Sequence, residues 1–406
     1  MTAQDSLATG QRSLGDASLS YPLWPPLTRG CPRTATPEIV YPVEVDYAYD
    51  AVPADLFARA APPGVGLDRW APLLPPLAAP GLGEGGTPLI GIGDGVYVKD
   101  ESRNPTWSHK DRLNRCTVSA AVGVDAEGIV VASSGNHGAS AAAYAARAGL
   151  RCVVLASREA PPAVVSFLKA YGAVVLPVPE RARWPLMRQI VDRLGYHPVS
   201  NLTDTHTSHG FGPEGYKTLA YEVFTELGVP EAVFLPTGYG ELLFGVWKGF
   251  AELERLGLAP RTPRIFSCEP SVGGPLATAL REGRPAATVE PGPTGAYGIR
   301  CAVGGHRGVL AVRRSGGEAL LVTDDEMEAA QSELGRQGLW VELSAAAGLA
   351  GLRAREAGGD AFEGPVVCVS TSSGFKDLTT GTHRVEPVDP SWEQVERRLR
   401  VAGIRG

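Results

Sequence analysis

The sequence of 406 residues is poor in lysine: of 38 basic residues only Lys99, Lys110, Lys169, Lys217, Lys248 and Lys376 are lysines. Any chemistry that needs a primary amine therefore has six candidates. Cysteine is sparse too. Cys31, Cys116, Cys152, Cys268, Cys301 and Cys368 lie far apart with no C-x-x-C pair, which offers neither a zinc site nor a disulfide framework and predicts buried, reduced thiols. No apolar run reaches the roughly 18 residues of a membrane span, and the polar N-terminus has no hydrophobic signal core. A strong charge of one sign is also missing, and a net charge of −6 argues against nucleic acid or an anionic membrane as partner. These absences leave a protein expected in the cytoplasm and acting on a small molecule. With 44% hydrophobic and 20% charged residues it can bury a large core and is not disordered.

The length suggests two or three domains. Residues 1–80 are proline-rich and predict an irregular extension, with one strand-like run at 40–45, packed over the main body. Beyond residue 91 short apolar runs alternate with helical patterns. Strands are expected at 96–99, 128–132, 151–156, 173–178, 233–236, 265–268 and 366–370, and helices at 137–148, 161–171, 241–256 and 324–335. Such alternation predicts an α/β fold of βαβ units, and its length predicts two mainly parallel sheets flanked by helices. Ligands bind such sheets beyond the C-terminal strand ends, where loops open into helix N-termini.

Four loops at those positions carry unusual polar or glycine content. DESRNPTWSHKDR (100–112) places Lys110 where a polar loop turns into a helix; it can project into a cleft or be a solvated surface lysine. SSGNHG (133–138) offers hydroxyl, amide and glycine donors at a helix N-terminus, which is either an anion site or an ordinary cap. PTGYGE (236–241) could cradle a phosphate through its backbone but is neither a Walker loop nor a full G-x-G-x-x-G. TSSGFKD (371–377) puts three hydroxyls at a strand end.

Taken together and in order, these loops resemble one family, the fold type II pyridoxal-phosphate enzymes, and most of all threonine synthase and its relatives. The resemblance covers about residues 40–380. LGEGGTPL (82–89) is similar to the family's GEG-G/N-TPL segment, NPTWSHKDR to NPTGSFKDR, and SSGNHGASAAAYAARAG to STGNTSASAAAYAARAG. PEGYKTLAYE, PTGYGELLFGVWKGF, WVELSAAAGLAGL and STSSGFKD also have counterparts. The resemblance implies pyridoxal 5′-phosphate as cofactor, carried by Lys110 as a Schiff base, with the released lysine acting as proton-transfer base. It implies that Asn136 hydrogen-bonds the cofactor's 3′-oxygen and that Ser134, Gly135 and His137 hold the substrate carboxylate. Gly238, Tyr239, Gly240, Glu241 and Leu242 would bind the cofactor phosphate, and Thr371 would face the pyridine nitrogen. A neutral hydroxyl there leaves the ring a weaker electron sink and favours elimination and replacement. It further implies a homodimer, a large cofactor domain of residues 81–112 and 205–385, a smaller domain of 113–204 carrying the carboxylate loop, and a C-terminal helix within 386–406.

The sequence departs from the family pattern in ways that bear on substrate. Trp107 stands where glycine is usual, and His137 where threonine is. Tyr239 and Glu241 replace small or amide residues, and Glu241 puts a carboxylate near a dianion unless it points away. Cys31 is alone, so the zinc ribbon of some relatives is absent and no metal is expected. The arginine that helps many relatives bind the substrate phosphate is missing from HGFGPEGYKT (209–218). Two readings stay open. One is a lyase that eliminates phosphate from a phospho-amino acid such as O-phosphohomoserine and adds water, with Lys99, Ser108, Arg112, His206 and His209 as candidate ligands of the leaving group. The other keeps the cofactor but performs a serine/threonine dehydratase or ammonia-lyase β-elimination, or a β-replacement.

Overall fold

The computed structural model describes residues 5–58, 66–133, 135–158, 160, 162–202, 209–376 and 387–404. Two parallel sheets organise them. The larger has six strands in the spatial order Ala319–Val322, Arg264–Pro270, Ala232–Pro236, Val366–Ser370, Val96–Asp100 and Leu89–Gly93; only the last, an edge strand, runs antiparallel. The smaller has four, in the order Val174–Val178, Arg151–Ser157, Gly128–Val131 and His197–Pro198, all parallel. The central strands are continuous apolar runs because helices cover both faces. Val233, Leu235, Val367 and Val369 point into one core, while Phe234, Phe266, Val366 and Cys368 point into the opposite one, the period-2 alternation of a strand. In the small sheet Ile129 and Val131 face one core and Val130 the other.

Helix Lys110–Gly123 carries the chain from the large sheet to the small one, and helix Asn136–Arg147 packs beside it. The alanines of the second helix keep its backbone close to its neighbours, and Ser140 donates to Asp111 across the helix pair at 2.5 Å. The expected strands match those observed to within two residues at either end. Helices Arg183–Leu194, His306–Ser315 and Leu343–Ala357 were not anticipated. The last has ten consecutive buried residues, so its sequence shows no amphipathic period to read.

The N-terminal segment differs from the irregular extension expected of it. Ala8–Ser13, Ser20–Tyr21 and Val43–Tyr47 form a three-stranded antiparallel sheet. It does pack over the main body. Lys248 donates to the Val45 carbonyl at 2.7 Å, Arg307 donates to the Val43 carbonyl, and Val45 N–H donates to Glu214. Helix Trp392–Val401 near the C-terminus buries none of its residues. Among the described residues no helix is long and apolar enough to cross a membrane.

Candidate active site

Lys110 opens its helix immediately after a loop that is pinned to the final strand of the large sheet. His109 N–H donates to the Thr371 carbonyl at 2.9 Å, Ser373 N–H donates to the Trp107 carbonyl at 3.1 Å, and Ser108 bridges Ser372. Within this loop Trp107 adopts φ +60°, a left-handed conformation that costs a bulky residue strain and that glycine takes freely. Its ring packs on Phe167 of helix Pro162–Ala170, which borders the cleft. Lys110 is half-buried and borders the cavity described below. Nζ donates to the Tyr216 hydroxyl at 3.0 Å, and the Tyr216 ring stacks on His109 at 5.4 Å. Burial lowers the Lys110 pKa, with Glu241 the strongest influence in the other direction. An amine so placed deprotonates readily enough to attack a carbonyl.

The cavity measures about 460 Å³ and lies between the C-terminal edges of the two sheets. From the small-sheet side, Gly135, Asn136 and His137 reach it at the start of helix Asn136–Arg147; Ser134 lies outside the described residues. Asn136 Nδ2 donates to Glu342 at 3.0 Å, and its Oδ1 accepts from Lys376 at 2.6 Å. His137 Nε2 is buried without a partner among the described residues, while a backbone hydrogen bond from the ring goes to Val199. Burial, followed by the charge of Lys110, holds the His137 pKa at about 3. The imidazole is therefore neutral, with Nε2 left as a hydrogen-bond acceptor.

On the large-sheet side strand Ala232–Pro236 ends in Thr237, whose N–H donates to the Cys268 carbonyl at 2.8 Å. Gly238, Tyr239, Gly240, Glu241 and Leu242 follow, and all border the cavity. Gly240 sits at φ +84°, and a Cβ there would come within 2.9 Å of Gly308 Cα. A Cβ on Gly238 would meet the Cys301 sulfur at 2.9 Å. The loop can therefore keep this close turn only as glycine. Helix Glu241–Arg255 makes its first bond from Phe244 N–H to the Gly240 carbonyl, so the amides of 241, 242 and 243 point out of its positive end. The Leu242 side chain packs in the core, leaving its backbone to the loop. Glu241 does not turn away from the cavity. It lies within electrostatic reach of both Lys110 and Arg307. Thr371 reaches the cavity from the last strand.

A close-turned glycine loop at a helix N-terminus, a lysine of lowered pKa, and a neutral threonine and an asparagine between them fit a flat ring bearing a phosphate and an aldehyde. Lys110, Asn136, Gly238, Gly240 and Thr371 are thus brought together as expected. The leaving-group ligands are not. Lys99 is fully buried and pairs with Glu222 at 2.9 Å and Glu226 at 3.4 Å. Arg112 is fully buried and pairs with Glu101 at 2.7 Å and Glu222 at 2.6 Å. Neither borders the cavity. Ser108 is enclosed in the bridge to Ser372, its hydroxyl without a partner among the described residues and outside the cavity lining. His209 borders the cavity but spends Nδ1 accepting from Phe211 N–H and Nε2 on His197 at 2.8 Å. Its pKa is held well below the usual value by burial, then by His197 and Arg307, so it is no cation. His206 lies outside the described residues. The cationic side chains that border the cavity are instead Lys110, Lys376, Arg183 and Arg300, the two arginines gathered around Glu180. Tyr216, Glu342 and Lys376 fell within recognised motifs without a role assigned to them. Among the described residues no three His, Cys, Asp or Glu side chains converge as a metal site.

Comparison with known proteins bears on the same residues. The chain is 34% identical over 358 residues to a threonine synthase of Methanosarcina acetivorans, covering 83% of this chain and 86% of that one. It is 34% identical over 335 residues to a threonine synthase of Halalkalibacterium halodurans, covering 76% and 88%. Among solved structures, maize serine racemase superposes with a TM-score of 0.62 at 21% identity, covering 78% of this chain and 93% of that one. Threonine deaminase isoform 2 from Solanum lycopersicum superposes at 0.60 and 19%, covering 77% and 84%. A family model described as pyridoxal-phosphate dependent enzyme matches residues 81–372, a span that contains both parallel sheets, the first three loops and the start of the fourth. With its lysine, its glycine loop and its fold in agreement, the chain belongs to the pyridoxal-phosphate dependent enzymes of fold type II, as a lyase resembling the threonine synthases.

Proposed function

We propose that the protein eliminates phosphate from a phospho-amino acid of the O-phosphohomoserine kind and adds water to yield threonine. The observation that carries this reading is Lys110 at the mouth of its helix, amine lowered in pKa and bonded to Tyr216, facing the glycine loop across the cavity. The cofactor supplies an electron sink for the pair left when the Cα–H bond breaks. Lys110 takes that proton and then one from Cβ, the phosphate departs from Cγ, which gains a proton to become the methyl, and water adds its hydroxyl to Cβ while a proton returns to Cα and the water's other proton leaves with the phosphate. Tyr216 holds the amine in register and can donate to it once it is neutral. The backbone amides of 241–243 would hold the cofactor phosphate, Thr371 would face its ring nitrogen, and the Asn136 amide its 3′-oxygen. Because Lys99 and Arg112 are spent in the core, the substrate's phosphate would be met by Arg183 and Arg300 at the rim. We further infer a large cofactor domain of 81–112 and 205–385, a smaller domain of 113–204 and a homodimer, on the strength of the family resemblance.

His137 favours the second reading. A neutral nitrogen with a free lone pair repels a carboxylate and suits a hydroxyl or ammonium donor, as a β-hydroxy amino acid would bring. The deciding experiment offers the cofactor-loaded protein O-phosphohomoserine, serine, threonine and O-phosphoserine, and assays phosphate, threonine and keto acid. Phosphate and threonine from O-phosphohomoserine support the first reading. No turnover of it, with keto acid from the others, replaces the first reading by the second.

A further inference from the structure

Lys376 borders the cavity as Lys110 does, and the reaction above gives it no task. It ends the short turn Gly374–Lys376 that follows the last strand of the large sheet, and only 6% of it is exposed. Its one acceptor among the described residues is Asn136 Oδ1, at 2.6 Å. Asn136 in turn gives one N–H to Glu342 Oε1 at 3.0 Å. With one amide hydrogen given to Glu342 and the oxygen accepting from Lys376, the second N–H is the one donor Asn136 has left to offer. Turning the amide over would set its NH₂ against an ammonium and its oxygen against a carboxylate, a repulsion at each end. An asparagine held only by neutral groups would have no such preference.

We propose that Lys376 is a positioning residue: it locks Asn136 with an N–H donor toward the cavity and sets a positive charge behind that donor. The proposal rests on the reading above for the place of the cofactor, whose 3′-oxygen would accept this N–H. A cation at that distance stabilises an anionic oxygen on the donor's far side and opposes protonation of the conjugated Schiff base. The titratable groups around Lys376 are Glu342 and Asp111, which favour its charge, and Lys110 and His109 on the facing loop. Burial brings the Lys376 pKa down to about 8, so the ammonium is the main form at neutral pH.

The test reads the visible absorption band of the cofactor-loaded protein as a function of pH, together with cofactor affinity and the melting temperature of the cofactor-free protein. Lys376→Met removes both the lock and the charge. Its band midpoint should rise by about one pH unit, the size of shift one nearby charge produces. Its cofactor affinity should fall about tenfold, as expected for an oriented hydrogen bond. Lys376→Arg should keep the midpoint near that of the native protein. Lys376→Gln can still donate to Asn136, so it should shift the midpoint while keeping most of the affinity. This variant carries the test if the methionine variant does not fold. Equal midpoints for the Gln and Arg variants would overturn the proposal, as would unchanged midpoint and affinity in a folded Lys376→Met. Borohydride reduction keeps the two ideas apart: label on Lys110 leaves the cofactor assignment standing whatever the midpoints do, and label on Lys376 removes both.

Discussion

Arg112 lies two residues from Lys110, and its removal separates a substrate ligand from a structural cation. The guanidinium donates to both carboxylate oxygens of Glu101 and both of Glu222, and also to Thr218 and Thr87. Burial works against its charge, but those two carboxylates raise its pKa above the ordinary arginine value. Within the buried part of this network Lys99 and Arg112 balance Glu101 and Glu222. Arg112→Met leaves one cation facing two buried anions. Breaking one side of a buried pair costs about 3–5 kcal/mol. At about 2–4 °C per kcal/mol for a domain of 150–250 residues, the melting temperature should fall by about 6–20 °C. Scanning calorimetry at fixed cofactor concentration and scan rate measures this. Arg112→Lys should recover only part of the loss, since a single ammonium cannot span two carboxylates bidentately. A folded Arg112→Met protein that melts like the native one but shows a raised KM would refute this reasoning and return Arg112 to the substrate site.

Lys110→Ala should bind the cofactor without the visible band of the native protein and show no turnover, and peptide mapping after borohydride should find the native label on Lys110; label elsewhere contradicts the assignment. Gly240→Ala puts a methyl within 2.9 Å of Gly308 Cα at φ +84°, so cofactor affinity should drop at least tenfold in equilibrium dialysis while melting of the cofactor-free protein changes little. Acid should destabilise the protein through His197 and His209. Burial holds the His197 pKa near 4 and that of His209 well below its usual value, whereas the unfolded chain takes up these protons near pH 6.5. The stabilising contribution is whole above about pH 6.5 and is lost as the pH falls toward 4. His197→Asn should flatten the dependence of the urea midpoint on pH between 4.5 and 7, and an unchanged slope would clear the histidine pair.

The cofactor end of the cavity was legible in the sequence because its parts are local. A strand, a loop with required glycines and a helix start are written in consecutive residues, and Gly238, Gly240, Asn136 and Lys110 each sit at such a junction. Their meeting follows from the rule that parallel strands deliver their loops to one edge. Glu342 and Lys376 belong to the same end but could not be given roles. Each acts by touching Asn136, which is 206 residues from one and 240 from the other in sequence. Nothing in either motif fixes that distance.

The substrate end failed for a reason of helical register. Lys99, Ser108 and Arg112 are near Lys110 along the chain, but on a helix residues two apart point to nearly opposite sides. Lys110 faces the cavity, so Arg112 had to face the core, where Glu101 and Glu222 wait for it. Asn114, four residues on, shares the Lys110 face; its amide donates to the Lys110 carbonyl at 3.1 Å and, at 3.5 Å, to that of His137. The same logic applies to Lys99. It sits on a strand with both faces covered, so either direction from the backbone led to a buried partner and not to solvent or ligand. Counted by face, Asn114 and His137 lie beside Lys110, and the two cations belong to the core. With Lys99 and Arg112 in the core, the phosphate of the proposed substrate would be met at the rim, by Arg183 and Arg300.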